Sequence, residues 1–310
     1  MDWLADPEFF GCGNKVGYFD TLPLAALGGD STKGDYSEFI GFERGALSID
    51  KVYQCSKDPA VFAAISLNHV LNDVLVSSAS PVQVGIAFDF ASDLDLRSRS
   101  ELVSAFSSEL SRRKIQLGKC HSSLSDLTSV TIAVVAANPV CEALAPTQGD
   151  VVLSRAIGHF KMHYLHETGQ IDVANASTPL IVSPFSPLSL RDKFSDVADV
   201  SGHGIAGSLH SLALRNSIDI EVVLSPNIAA HPLVLELPNP CLLNDYSAFQ
   251  VEGLEIEIDS WRLAGLSETA GPLVGLINRE SVSQRGEGGW PKTIGHFRPG
   301  DGKLTIKWIE

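Results

Sequence analysis

The apolar residues of this chain recur at two spacings, and the spacing changes from stretch to stretch, which restricts the fold to sheets covered by helices. Val82 to Phe90 reads as a strand apolar enough to be central in its sheet. A capping box, Ser98-Arg99-Ser100-Glu101, then precedes Leu102, Ala105, Phe106 and Leu110 at helical spacing. Upstream, Ala46 to Tyr53 alternates as a strand. Asp58-Pro59 opens a helix to about Val76, with the Asp as N-cap and the Pro at the first helical position. Within that helix only a row of Ser66, His69 and Asp73, at i, i+3 and i+7, interrupts the apolar surface. Lys114 to Lys119 and Thr128 to Ala137 read as a strand pair around a polar loop. The first half is therefore an α+β layer with its helices on one face.

The rhythm breaks at Asn138-Pro139 and at Ala145-Pro146-Thr147-Gln148-Gly149. A chain of 310 residues has room for two domains of about 150, so the expected division is 1–146 and 147–310. The second half begins with a short strand, Asp150 to Ser154, and a helix through Leu165. An irregular Ser- and Pro-rich stretch over 174–195 follows, with a short helix in it. Beyond it lie a helix with Ile205, Leu209, Leu212 and Ala213 inward, and strands at Ile218 to Leu224 and Gly271 to Ile277. A closing hairpin, Thr293 to Phe297 with Lys303 to Trp308, turns at Arg298-Pro299-Gly300-Asp301-Gly302. The expected class is α/β (α+β) in two domains.

Charge and cysteine usage remove several function classes. A formal charge of −14 opposes binding to long nucleic acid, which needs a basic surface. No stretch approaches the ~18 uninterrupted apolar residues of a membrane span, and Met1-Asp2-Trp3-Leu4-Ala5-Asp6 lacks a basic secretory n-region. Five cysteines, none spaced Cys-x-x-Cys, point away from a disulfide framework or structural zinc and toward a cytoplasmic setting. An acidic protein can still hold ATP, because carboxylates bind the magnesium that escorts it.

Four features carry possible chemistry. Gly11-Cys12-Gly13-Asn14-Lys15 combines close backbone approach with a thiol and a cation; the other reading is a glycine-rich leader that happens to carry a Cys. Asp73 lies on the polar row of a buried helix, where a carboxylate needs a partner, either a cation or a structural salt bridge. Asp50 is near a strand end, facing a crevice or solvent. Asp199-Val200-Ser201-Gly202-His203-Gly204 joins a strand end to a helix N-terminus. It is either a corner for phosphate and metal or an ordinary strand-to-helix turn.

In order and spacing these pieces resemble the selenophosphate synthetases (selenide, water dikinases). That family shares a superfamily with aminoimidazole ribonucleotide synthetase, thiamine-monophosphate kinase and hydrogenase maturation protein E. The family's Gly-Cys/Sec-Gly-x-Lys is matched by Gly11 to Lys15, and Asp50 and Asp73 lie 23 residues apart, as the family's strand and helix aspartates do. Family Asp-Val-Thr-Gly-Phe-Gly is matched by Asp199 to Gly204, and Gly-Asp-x-Leu by Gly149-Asp150-Val151-Val152. Lys119-Cys120-His121-Ser122 echoes Gly-Gly-His-Ser, and Ile294 to Pro299 echoes the closing Ile-Gly-x-x-x-Pro. The chain departs from the family in five places. Lys119-Cys120 stands for its Gly-Gly, and its Thr-Glu-Arg-Asn has no good match. Only Gly34-Asp35 stands where the family has Asp-Asp, His69 replaces an Asn, and Pro-Gln-Thr-Ser-Gly-Gly has become Ser267-Glu268-Thr269-Ala270-Gly271-Pro272.

The resemblance implies an aminoimidazole ribonucleotide synthetase-like fold whose first sheet pairs with a second subunit in a dimer barrel. It implies ATP in a cleft between domains, with Mg²⁺ held by Asp35, Asp50, Asp73 and Asp199. Asp50, Asp73, His121, Gly202 and Gly204 would touch the nucleotide, and Cys12 and Lys15 would be catalytic under a leader that closes as a lid. The family reaction converts ATP, selenide and water to selenophosphate, AMP and phosphate. Two other readings follow from the departures: a catalytically silent homodimer that binds a nucleotide or protein partner, and an ATP-dependent enzyme with a sulfur compound or other small acceptor.

Overall fold

Helix α1 (Pro59–Leu75) begins where Asp58 accepts a 2.8 Å hydrogen bond from the Ala60 N–H, with Pro59 filling a first-turn position that needs no donor. Every residue from Phe62 to Val74 is buried, polar ones included, because the helix is covered on all sides. The computed structural model describes residues 37–40, 44–76, 79–137, 147–182, 194–236, 253–257, 261–278 and 290–310. Cys12, Lys15 and Asp35 lie outside them.

The sheet under α1 contains β1 (Ser37–Ile40), β2 (Arg44–Tyr53), β3 (Ser80–Ala91), β4 (Gln116–Ser125) and β5 (Ser129–Ala137). Their order is β1-β2-β5-β3-β4. Period-two burial puts Ala46, Val52, Val84, Ile86, Phe88, Val130, Ile132 and Val134 under α1 and α2 (Leu96–Arg113). The core between them contains edge-to-face rings, with Phe106 5.6 Å from Phe62 and 5.3 Å from Phe88.

Two expectations change here. Helix α2 starts earlier than the Ser98 box: Asp95 is its cap, accepting from the Ser98 N–H at 2.9 Å and the Ser98 hydroxyl at 2.9 Å. Strands β4 and β5 are not paired with each other, because β3 lies between them, parallel to β4 and antiparallel to β5.

The second sheet runs β7-β10-β6-β11-β8-β12-β9. Its strands are β6 (Gly149–Leu153), β7 (Asp196–Asp199), β8 (Ile218–Leu224), β9 (Leu254–Ile256), β10 (Leu273–Asn278), β11 (Lys292–Pro299) and β12 (Leu304–Trp308). The helices of this half are α3 (His159–Glu167), α4 (Thr178–Ile181), α5 (Gly204–Asn216), α6 (Leu233–Glu236) and α7 (Trp261–Ala264). The expected closing hairpin is absent as a pair, because β8 runs between β11 and β12. Ile205, Leu209, Leu212 and Ala213 of α5 enter the core with Ile220, Val222, Leu276 and Ile306.

The two sheets lie on either side of 138–146, but the cores do not divide there. Phe160, Tyr164, Leu165, Val197 and Leu273 pack into the same cluster as Val70, Val74 and Ile132. Polar contacts reinforce the junction. Ser56 Oγ and the Lys57 N–H donate to Glu167 at 2.9 and 3.1 Å, and Asn68 Nδ2 donates to the Leu180 carbonyl at 2.6 Å.

Candidate functional site

Strand β2 presents Ala46, Ser48, Asp50 and Val52 toward α1, since alternate residues of a strand share a face. On α1, His69 and Asp73 share a face at i and i+4. The two elements are fastened by crossed contacts. Ser48 Oγ donates to Asp73 Oδ2 at 2.5 Å, and His69 Nε2 lies 3.9 Å from Asp50 Oδ1. Asp73 is almost fully buried, while the Asp50 carboxylate keeps a fifth of its surface open. Beside them Asn72 is fully buried, and among the described residues neither atom of its amide has a hydrogen-bond partner.

Asp199 ends β7, buried, opposite Leu273 of β10. Its carbonyl accepts from Ser208 Oγ at 2.7 Å, which ties the strand end to the first turns of α5. Gly204 has φ +67, and a Cβ there would stand 2.6 Å from the Ala264 carbonyl oxygen, so the tight entry into α5 requires glycine. Gly202 is buried in the same turn, and the cap residue His203 makes no side-chain hydrogen bond to the helix.

Residues 267–272, the segment that departs from the resembled family, join these two places. The Ala270 N–H donates to His69 Nδ1 at 3.4 Å, the Glu268 N–H to the Ser201 carbonyl at 3.0 Å, and the Val200 N–H to the Pro272 carbonyl at 2.7 Å. The loop thus touches α1 on one side and the turn after Asp199 on the other. Glu268 is completely buried and accepts from the Gly158 N–H and, at 3.1 Å, from the Phe160 N–H, supplying the cap that Gly158 cannot give α3. Burial pushes its carboxyl up to about 7, against the pull of those amides and of Arg155. The Arg155 guanidinium, itself pushed down to about 10 by burial, donates to the carbonyls of Ala270, Gly271 and Pro179.

The structure therefore brings Asp50 and Asp73 to one strand–helix crossing and links Asp199, Gly202 and Gly204 to it through a single loop. It does not bring His121 there. His121 is exposed on the edge strand β4, in register with Ala87, on the sheet face away from α1. Sequence reasoning missed Ser48, Asn72, Arg155 and Glu268. Ser48 was readable from the period of two that places it on the Asp50 face. Glu268 acts on groups 108 to 110 positions away and Arg155 on carbonyls as far as 116 away, beyond any local pattern.

A magnesium ion keeps several waters and is held by one or two carboxylates together with substrate phosphates. The Asp50–Asp73 crossing fits that donor set. Among the described residues no three His, Cys, Asp or Glu side chains converge as a self-sufficient metal cage. No described helix is long and apolar enough to cross a membrane.

The chain matches no sequence-defined protein family and no curated protein. Solved structures do resemble it. Thiamine monophosphate kinase from Aquifex aeolicus is 14% identical with a TM-score of 0.67, over 96% of this chain and 99% of that one. AaThiL complexed with AMPPCP and TMP is 15% identical with a TM-score of 0.68, over 96% of each chain. The hydrogenase maturation protein HypE in complex with ATP is 13% identical with a TM-score of 0.58, over 94% of this chain and 88% of that one. At these identities the likeness establishes the architecture: two mixed α+β sheets in the aminoimidazole ribonucleotide synthetase-like fold, with kinase and HypE structures as its solved examples.

Proposed function

We propose that this chain binds a nucleoside triphosphate through Mg²⁺ and works as an ATP-dependent phosphotransferase, with residues 1–146 carrying the metal carboxylates and 147–310 completing the cleft. One observation carries the reading: a single buried loop, 267–272, touches both the Asp50–Asp73 crossing and the Asp199 turn. The loop thereby links the two acidic regions, in a fold whose solved examples include complexes with ATP and AMPPCP. Asp50 and Asp73 would hold the cation directly, and Asp199 would act on it from the second sheet through the ion's waters. The bound ion would supply charge neutralisation for the phosphates. The N-terminus of α5, to which its cap residue His203 gives no side-chain hydrogen bond, would face phosphate oxygens with its dipole.

The acceptor follows from the motif resemblance. Selenide, giving selenophosphate, AMP and phosphate, is the reading in which Cys12 carries the chalcogen and Lys15 steadies the phosphoryl oxygens. The distinct 267–272 loop favours a second reading in which the ATP chemistry serves another small acceptor. ATP should raise the melting temperature only with Mg²⁺ present, and Asp199→Ala should abolish the shift while the apo protein stays folded. An equal shift in EDTA would exclude the metal bridge. Selenide-dependent AMP release that disappears in Cys12→Ser separates the first acceptor from the second.

A further inference from the structure

His69 is buried between two groups that ask different things of its ring. On one side a backbone N–H, that of Ala270, points at Nδ1 from 3.4 Å. A backbone amide can only donate, so Nδ1 must present its lone pair. A neutral imidazole carries one proton, which leaves it on Nε2, and Nε2 is the atom 3.9 Å from Asp50 Oδ1.

The Ala270 amide is not free to adapt. Ala270 is held at φ +54, a left-handed conformation that costs an alanine about 1–2 kcal/mol. Its carbonyl is gripped by Arg155, and the next residue is wedged so closely that a Cβ on Gly271 would stand 1.9 Å from the Val200 oxygen. Strain of this kind persists where the surroundings over-determine the backbone.

We propose that His69 is a positioning residue, a neutral Nε2–H imidazole whose tautomer is set by the Ala270 N–H and which orients the Asp50 carboxylate. At 3.9 Å the contact is longer than a direct hydrogen bond, and the Nε2–H donor would orient the carboxylate by drawing Oδ1 toward itself. The carboxylate of this part-exposed side chain would then be presented to a cation in a fixed orientation. The cation half of this statement rests on the Mg²⁺ reading above; the tautomer half does not. Partners that fix the orientation of a metal-binding carboxylate commonly matter 10–100-fold to metal affinity.

The test uses the full chain and two substitutions that split the ring. His69→Gln keeps a donor at the reach of Nε2, and His69→Asn keeps an acceptor at the reach of Nδ1 but no longer reaches Asp50. Nitrogen-15 spectra of the imidazole, assigned by the signal lost in His69→Gln, should show the Nε2–H tautomer. Asp50→Asn should move its Nε2 resonance. The Mg²⁺ concentration that half-restores the ATP-induced melting shift should rise roughly 10–100-fold in His69→Asn and stay within about threefold of wild type in His69→Gln. A ring protonated on Nδ1, or Asn and Gln variants with equal Mg²⁺ requirements, overturns the proposal. A wild-type protein with no Mg-ATP shift but with an Asp50-sensitive Nε2–H signal would overturn the nucleotide reading and leave the His69–Asp50 contact standing.

Discussion

Glu268 shows how one side chain can tie stability to pH. An unfolded chain would ionise it near the ordinary 4.5, whereas the folded protein holds the proton up to about 7. Between those values the native state binds more protons than the unfolded one, so stability falls as pH rises through that window and levels off above it. The shift corresponds to a loss of roughly 3 kcal/mol across the window. Urea melts at about pH 5 and about pH 8 should therefore differ more in wild type than in Glu268→Gln, which keeps an acceptor for the Gly158 and Phe160 amides but cannot ionise. Equal pH dependence in the two proteins would mean that Glu268 is charged throughout. Asn72 is the neighbouring case. A fully buried amide with neither atom bonded costs about 1–3 kcal/mol, so Asn72→Leu should raise the apo melting temperature, and a lowered one would contradict that accounting.

At the scale of elements, what the sequence made legible was local. Asp58-Pro59 announced α1 because cap and first turn lie side by side, and Ile218–Leu224 alternates with the burial of a strand covered on one face. The same local reading placed Asp199 at a strand end and Gly204 at a helix start. Strand neighbours were not legible: β4 and β5, like β11 and β12, are adjacent in sequence yet separated in the sheet by a strand from elsewhere. In the sequence the 267–272 loop reads only as a departure from the resembled motif, because its partners Gly158, Arg155 and His69 cannot be inferred from spacing. Gly204 and Gly169 allow a controlled test of how tightly the Asp199 turn is built. Both have positive φ, +67 and +72, but a Cβ at Gly169 meets nothing within 4 Å, whereas one at Gly204 meets the Ala264 oxygen at 2.6 Å. Gly169→Ala should cost about 1 kcal/mol, the conformational penalty alone, and Gly204→Ala at least ~2 kcal/mol more. Equal costs in chemical denaturation would show that α7 gives way freely.

Among the described residues, one face of the first sheet carries no helix. There Leu47 and Val135 are cross-strand partners, both substantially exposed, and the adjoining Ile49, opposite Ala133, is 65% exposed. An antiparallel sheet can leave one face to water, but that face is then ordinarily polar, and this one is apolar along β2 and β5. Farther along, Asp89 accepts from Lys51 at 3.1 Å and Ser123 at 2.5 Å, so the polar end is already internally paired. Such a surface favours a covering partner, and a second copy of the chain is the reading that agrees with the barrel implied by the motif resemblance. Light scattering at micromolar concentration should then give twice the chain mass. Ile49→Asp should convert the protein to a monomer, since a carboxylate cannot be left unpaired in an apolar interface. Because Ile49 points away from α1 and the core, the monomer should keep its far-ultraviolet spectrum and its Mg²⁺-dependent response to ATP. A wild-type protein that is monomeric throughout, or an Ile49→Asp protein that remains dimeric, would place the covering surface elsewhere. Loss of the ATP response together with the dimer would mean instead that the partner copy helps to build the nucleotide site.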